Sequence, residues 1–288
     1  MTVALQLAAR PPYDGAGVTR WLAARAVPGV EDVSGGVYRR TLGLPGGTGV
    51  VALEPDHDSV RATLHLEDPA DLDTAAERCR ALLDLDADPR AYTAVLAADP
   101  ALAPRVRANP GQRAPGTVDP AETAVRAVLG QQVSLAAART LAARLVAACG
   151  TRLAAGAGGG AALTHAFPRP GAIAAADLEA IGLPQARQRT LRELCARLAG
   201  GDLVLGPGAD RADVREHLLA VPGIGPWTAD YIALRALGDP DAFPAGDLGL
   251  RRAARALGLP SDAAALAARA ERWRPWRRYA AHYLWAAA

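Results

Sequence analysis

Between Val60 and Leu66 the side chains Val60, Ala62, Leu64 and Leu66 alternate with Arg61, Thr63 and His65. That period of two predicts a strand with one buried face. Val37 to Leu44 and Gly49 to Leu53 read as two more strands, and Leu5 and Leu7 sit in a short strand-like run ahead of the Pro11-Pro12 break. The segment Trp21 to Val27 is helical in composition and stops at Pro28-Gly29. Leu72, Ala75, Ala76, Cys79, Leu82 and Leu83 then recur at helical spacing. A small antiparallel sheet with two helices on one face accounts economically for residues 1–88.

From residue 89 the strand signals end. Asp119 as N-cap, Pro120 at the first helical position and Glu122 three residues on mark a helix start that runs to Leu129-Gly130. Ser134 caps the next helix, which continues to Ala148 and stops at Gly150. The Ala/Gly run from Ala154 to Ala162 predicts a loop. Helices are predicted over 172–180, 184–199, 211–220, 226–237, 248–257, 262–273 and 276–286. The fold class is α+β: a small N-terminal domain over 1–88, then an all-helical body over 89–288.

Within that body, Leu218-Leu219 closes one helix, Pro222 blocks its continuation, Gly223 and Gly225 supply a turn, and Pro226 opens the next helix. This is a helix-hairpin-helix pattern, whose exposed backbone N–H groups grip a phosphate without reading bases, unless it is a plain helical corner. Twenty residues on, Asp247 stands in a Pro/Gly-rich loop. It reads as the N-cap of the helix beginning near Leu248, and equally as a carboxylate able to stabilise an oxocarbenium-like transition state at a sugar C1′. Trp227 follows the hairpin directly, with Tyr231 one turn later on the same face. Trp273, Trp276, Tyr279, Tyr283 and Trp285 crowd the C-terminal helices, and Trp21 stands alone in the first domain. Most of these belong in the core; some could stack on a flipped base.

Composition narrows the chemistry. All 32 basic residues are arginine, so any mechanism needing a side-chain amine is excluded. Charge is uneven: net −4 over residues 1–110, balanced over 111–249, and net +6 over 250–288, beside Asp247. Three scattered cysteines form neither a zinc pattern nor a disulfide set. No long uncharged apolar run and no leader appear, so the expectation is a cytoplasmic protein with no membrane partner.

Four motifs now stand in order: Pro11 to Asp14, Val125 to Ser134, Val221 to Tyr231, and Glu271 onward with Trp285. Together they resemble the helix-hairpin-helix DNA glycosylase superfamily, most closely its 3-methyladenine DNA glycosylase II branch. The resemblance implies a TATA-binding-protein-like first domain and a two-lobed body, with a hairpin lobe over about 118–238 and a second lobe from 89–117 with 239–288. It implies Asp247 as the catalytic carboxylate and a base pocket of Trp227, Tyr231 and Trp285, closed by Trp21. The DNA wedge falls at Gln132, beside Gln131. Amides around Gly223, Gly225 and Thr228, with Arg251, would take phosphates. Backbone carbonyls of Leu219, Val221 and Ile224 would hold a sodium or potassium ion. No catalytic cofactor and no iron–sulfur cluster are expected. In lyase-type relatives a lysine stands where Trp227 does, so the resemblance implies a monomeric, monofunctional enzyme excising alkylated bases from double-stranded DNA. Leu248 stands where the family can carry a pocket tyrosine. A glycosylase for deaminated or oxidised bases and a non-catalytic lesion sensor are the competing readings.

Overall fold

A computed structural model describes residues 1–154, 160, 162–206 and 208–287. The predicted Ala/Gly loop falls mostly outside these described residues. The first unit contains β1 (Thr2–Ala8), α1 (Gly15–Arg25), β2 (Glu31–Ser34), β3 (Val37–Leu44), β4 (Gly47–Asp56), β5 (Ser59–Leu66) and α2 (Leu72–Leu83). Its strands form one antiparallel sheet in the order β1-β5-β4-β3-β2. The alternating residues Val60, Ala62, Leu64 and Leu66 are all buried, as their period predicts. They join Val18 and Leu22 of α1 and Ala75, Cys79, Leu82 and Leu83 of α2 in one hydrophobic cluster. Strand β2 has no counterpart in the sequence reading, because Glu-Asp-Val-Ser carries a single apolar residue.

The helical body comprises α3 (Pro89–Leu96), α4 (Ala103–Ala108), α5 (Pro120–Leu129), α6 (Leu135–Cys149), α7 (Pro170–Ala175), α8 (Gln185–Gly200), α9 (Arg211–Leu219), α10 (Pro226–Arg235), α11 (Leu248–Ala256), α12 (Ala263–Ala270) and α13 (Arg277–Trp285). Two predicted helices are divided. The 172–180 stretch becomes α7 and a 3-10 turn at Glu179–Ile181, and the 262–273 stretch becomes α12 and a 3-10 turn at Glu271–Trp273. A two-residue ladder of β6 (Thr151–Arg152) and β7 (His165–Ala166) is also present, too short to leave a period in the sequence.

Two hydrophobic clusters hold the body. One gathers α5, α6, α8, α9 and α10, and takes in Val27 and Val30 from the segment after α1. The other gathers α3, α4 and α11 to α13 around Trp273, Tyr279 and Tyr283, with Leu234 at the end of α10. Asp119 caps α5 by accepting from the Ala121 and Glu122 N–H groups, and Ser134 caps α6 through the Ala137 N–H.

Glu122 departs from its expected role in a capping box. It ion-pairs with Arg40 of β3 at 2.6 Å and with Arg126 at 2.9 Å. Arg126 also pairs with Glu31 at 2.9 Å, and Glu31 accepts from Tyr38 Oη and the Val27 N–H. Burial works to raise the Glu31 carboxyl, but Arg126, Arg40, the Tyr38 hydroxyl and the Val27 N–H together hold it below the ordinary carboxylate range. A charge this deep is tolerated only when paired and hydrogen-bonded. This cluster joins the first domain to the body, and all four of its residues line one cleft.

Candidate active site

A cleft of about 1370 Å³ opens where the first domain, the α5–α6 turn, the hairpin and the N-terminus of α11 meet. Asp247 lies on its wall, half-buried, and caps α11: its Oδ1 accepts from the Leu250 N–H at 2.9 Å. The cap reading of this acid holds, and capping uses only part of its hydrogen-bonding capacity. Trp285 Nε1 donates to Oδ1 at 2.9 Å and Trp227 Nε1 donates to Oδ2 at 3.1 Å. An ionised carboxylate has about four acceptor positions. Among the described residues three are taken and one, on Oδ2, is open, and Asp247 lines the cleft.

The aromatic residues divide by layer. Trp227 and Tyr231, one turn apart on α10, stack with centroids 5.7 Å apart and planes 24° apart. Trp285 meets Tyr231 edge-on at 6.4 Å. These three line the cleft. Trp21 lies one layer back: it packs 5.4 Å from Trp285 and 4.6 Å from His282, and it supports the pocket rather than lining it. The reason is its place on α1, which turns Leu22 and Arg25 to the cleft instead.

The hairpin follows from its glycines. Gly223 has φ +90°, and a Cβ there would overlap Thr190 Oγ1, which donates to the Pro222 carbonyl at 2.8 Å. The Ile224 N–H closes the turn onto the Val221 carbonyl at 3.0 Å. Thr228 is buried in the first turn of α10. Across from it, Gln131 donates to the Gly223 carbonyl at 2.9 Å and to Thr228 Oγ1 at 3.0 Å. Gln131 is therefore committed to the hairpin. Gln132 next to it is exposed and has φ +55°, a left-handed conformation that a side chain adopts only when its surroundings impose it.

Arg251 is not at the cleft. Its Nε donates to the Ser261 carbonyl at 2.7 Å, tying α11 to the segment before α12, and Arg252 is the cleft-facing arginine of that helix. Several other arginines of the C-terminal segment are likewise engaged by neighbouring groups of the fold. Arg269 pairs with Asp99, Arg274 and Arg277 pair with Asp241 and Glu271, and Arg278 donates to the Ala114 and Gly238 carbonyls.

Sequence reasoning missed the guanidinium groups around Tyr231. Arg25, Arg126 and Arg235 all line the cleft. Burial raises the Tyr231 phenol, but Arg235, Arg25 and Arg126 lower it more, so it ends below its ordinary value. Burial, against the pull of Tyr231, brings Arg25 down to about 10, still charged at neutral pH. Nothing in a chain with 32 arginines singles these three out.

Residues 4–119 match the AlkA N-terminal domain, and residues 125–278 match the HhH-GPD superfamily of base excision DNA repair proteins. The chain belongs to the HhH-GPD superfamily. A relative from Mycobacterium tuberculosis, the probable bifunctional transcriptional activator/DNA repair enzyme AlkA, is 56% identical over 284 residues. That match takes in 99% of this chain but 57% of the relative, so the chain spans little more than half of that protein's length. DNA-3-methyladenine glycosylase 2 of Escherichia coli is 38% identical over 283 residues, covering 96% of this chain and 94% of that one. In fold, a 3-methyladenine DNA-glycosylase from Archaeoglobus fulgidus superposes with a TM-score of 0.84 at 24% identity, over 99% of this chain and 97% of that one. The HhH-GPD segment contains the Gln131-Gln132 turn, the hairpin, α10 and Asp247, while Trp21 belongs to the AlkA N-terminal domain. The cleft is thus assembled across both matched segments, with Trp285 added from beyond them.

Proposed function

We propose that the protein is a monofunctional DNA glycosylase, acting as a monomer on duplex DNA, that hydrolyses the N-glycosidic bond of alkylated bases such as 3-methyladenine and 7-methylguanine. The observation that carries this reading is Asp247, a cleft carboxylate held by two indoles with one acceptor position open. The AlkA-type relatives named above support it.

In this reading the hairpin amides around Gly223, Gly225 and Thr228 seat the phosphate backbone at the N-terminus of α10. Gln132 enters the stack and the damaged nucleotide swings into the cleft. Trp227 and Tyr231 offer aromatic faces to the base, which attract it more when it is cationic. An N-alkylated purine of that kind already carries the charge that weakens its glycosidic bond, so no strong general acid is needed. Asp247 opposes the positive charge developing at C1′ and orients the attacking water. With no lysine in the chain, no side-chain amine is present to attack C1′, which favours hydrolysis without strand cleavage.

A hairpin cation belongs to the same proposal. Leu219, Val221 and Ile224 would hold it through carbonyl oxygens, the donor type a hard cation takes. The Val221 carbonyl accepts one hydrogen bond within the turn and keeps a second lone pair for an ion.

One observation favours a second reading, excision of neutral deaminated or oxidised bases. Arg235 is buried on the cleft wall, its Nε has no partner among the described residues, and with Arg25 it repels a cationic base while suiting an exocyclic oxygen. Base release measured on methylated duplex, hypoxanthine duplex and 8-oxoguanine duplex separates the two. Asp247→Asn is expected to keep lesion-duplex affinity within threefold and to lose at least about 100-fold in excision rate. Full activity in that variant would remove the mechanism, and nicked product from the wild type would remove the monofunctional assignment.

A further inference from the structure

We infer that Trp285 is a positioning residue for the Asp247 carboxylate, and that the bare backbone of Gly249 is what allows it to act. The inference rests on Asp247 being the acting carboxylate. Capping alone fixes one oxygen to the Leu250 N–H and leaves the carboxylate plane free to turn. The Trp285 indole supplies a second donor to the same Oδ1, at 2.9 Å, so that oxygen is saturated and the plane is set. Oδ2, which among the described residues accepts only from Trp227, is then the oxygen presented to the sugar.

Trp285 is rigid enough for this task. It is wedged 5.4 Å from Trp21, 5.1 Å from His282 and 6.4 Å from Tyr231. Its approach to Asp247 crosses position 249. A Cβ there would stand 3.0 Å from Asp247 Oδ1, 3.3 Å from Trp285 Cδ1 and 3.4 Å from Trp285 Nε1. Gly249 lies in the first turn of α11 without the positive φ that would demand glycine. Glycine is the poorest helix former after proline, so its backbone gains nothing there. What the missing side chain provides is room for the indole beside the carboxylate.

The test uses single-turnover excision of 7-methylguanine from a duplex, with lesion-duplex affinity and thermal melting measured on the same variants. Trp285→Phe keeps an aromatic face and deletes the N–H. Its rate should fall about tenfold, the order expected for one hydrogen bond to a charged group, with affinity within threefold of wild type. Gly249→Ala keeps every polar group and crowds the indole. Its rate should fall about threefold while its melting temperature holds or rises through better helix propensity. A merely structural role would not move rate and stability in opposite directions. Unchanged rates in both variants, or losses that appear wholly in affinity, would overturn the inference and leave the glycosylase reading intact. A wild type that excises neither cationic nor neutral lesions would overturn both.

Discussion

His282 sits one helical turn before Trp285, buried among charges that it does not pair with. Among the described residues its Nε2 and the Trp21 Nε1 have no hydrogen-bond partner, and the two rings are 4.6 Å apart. Burial, then the guanidinium groups of Arg235, Arg278 and Arg25, push its pKa well below the ordinary 6.5. The folded state therefore stays neutral where the unfolded chain takes up a proton. Stability contributed by this residue is full above pH 6.5 and is lost as pH falls below it, at about 1.4 kcal/mol per pH unit until the folded value is reached. His282→Leu should flatten that part of the pH dependence, measured by urea unfolding at pH 7.5, 6.0 and 5.0; an unchanged slope would contradict the assignment. Asp247 was legible in the sequence as a helix cap because an acid just ahead of a helix start is a local pattern. His282 was not, because its meaning comes from three arginines on α1, α10 and α13 that only the fold brings together.

Hairpin geometry turns on Gly223. Its positive φ and its contact with Thr190 of α8 leave no room for a side chain. Gly223→Ala should cost roughly 1–3 kcal/mol of stability, as a strained backbone position does, and weaken binding to undamaged duplex at least about tenfold. Thermal melting and fluorescence anisotropy check the two effects; wild-type affinity in a folded variant would mean the turn does not grip the strand. At this scale the sequence was most readable where a period or a cap is local. Strand β5 and the starts of α5 and α6 fall where alternation, Asp119 and Ser134 put them. Strand β2 was invisible because Glu31 is buried by ion pairing and not by apolarity. Helix α11 presents Arg252, not Arg251, to the cleft, and no local pattern distinguishes two adjacent arginines.

Across the whole molecule, the Glu31–Arg40–Glu122–Arg126 cluster fixes how the first domain meets the hairpin lobe. Arg126 also donates to the Arg25 carbonyl at the end of α1, so the cluster sets the position of the helix that carries Trp21 and Arg25. Glu122→Gln would leave Arg40 buried without its closest counter-charge, and a loss of about 3 kcal/mol is expected, as for other buried pairs broken on one side. Chemical denaturation checks the magnitude, and a loss under about 1 kcal/mol would show the cluster to be dispensable. Glu31, held low, contributes stability that is full above the ordinary carboxylate value of 4.5 and lost as pH falls through its lower folded value. These partners are too far apart in the chain for any window of sequence to reveal them: Glu31 and Arg126 are 95 residues apart, Arg40 and Glu122 82. What sequence did reveal about the molecule came from the ordered motifs, which are short and each folded from neighbouring residues.

The Gln131 bridge has a consequence for how such a protein reads a duplex. Gln131 is fastened to the hairpin by its amide and to α8 by Arg187, which donates to its carbonyl at 2.7 Å, and Gln132 is the next residue. The Gln132 turn and the hairpin are therefore two ends of one short strut. Under the proposed function, such a strut would hold the backbone at a set offset whenever Gln132 presses on a base step. It would then act as a gauge, with an intact step resisting at that offset and a weakened step yielding at the one register the strut allows.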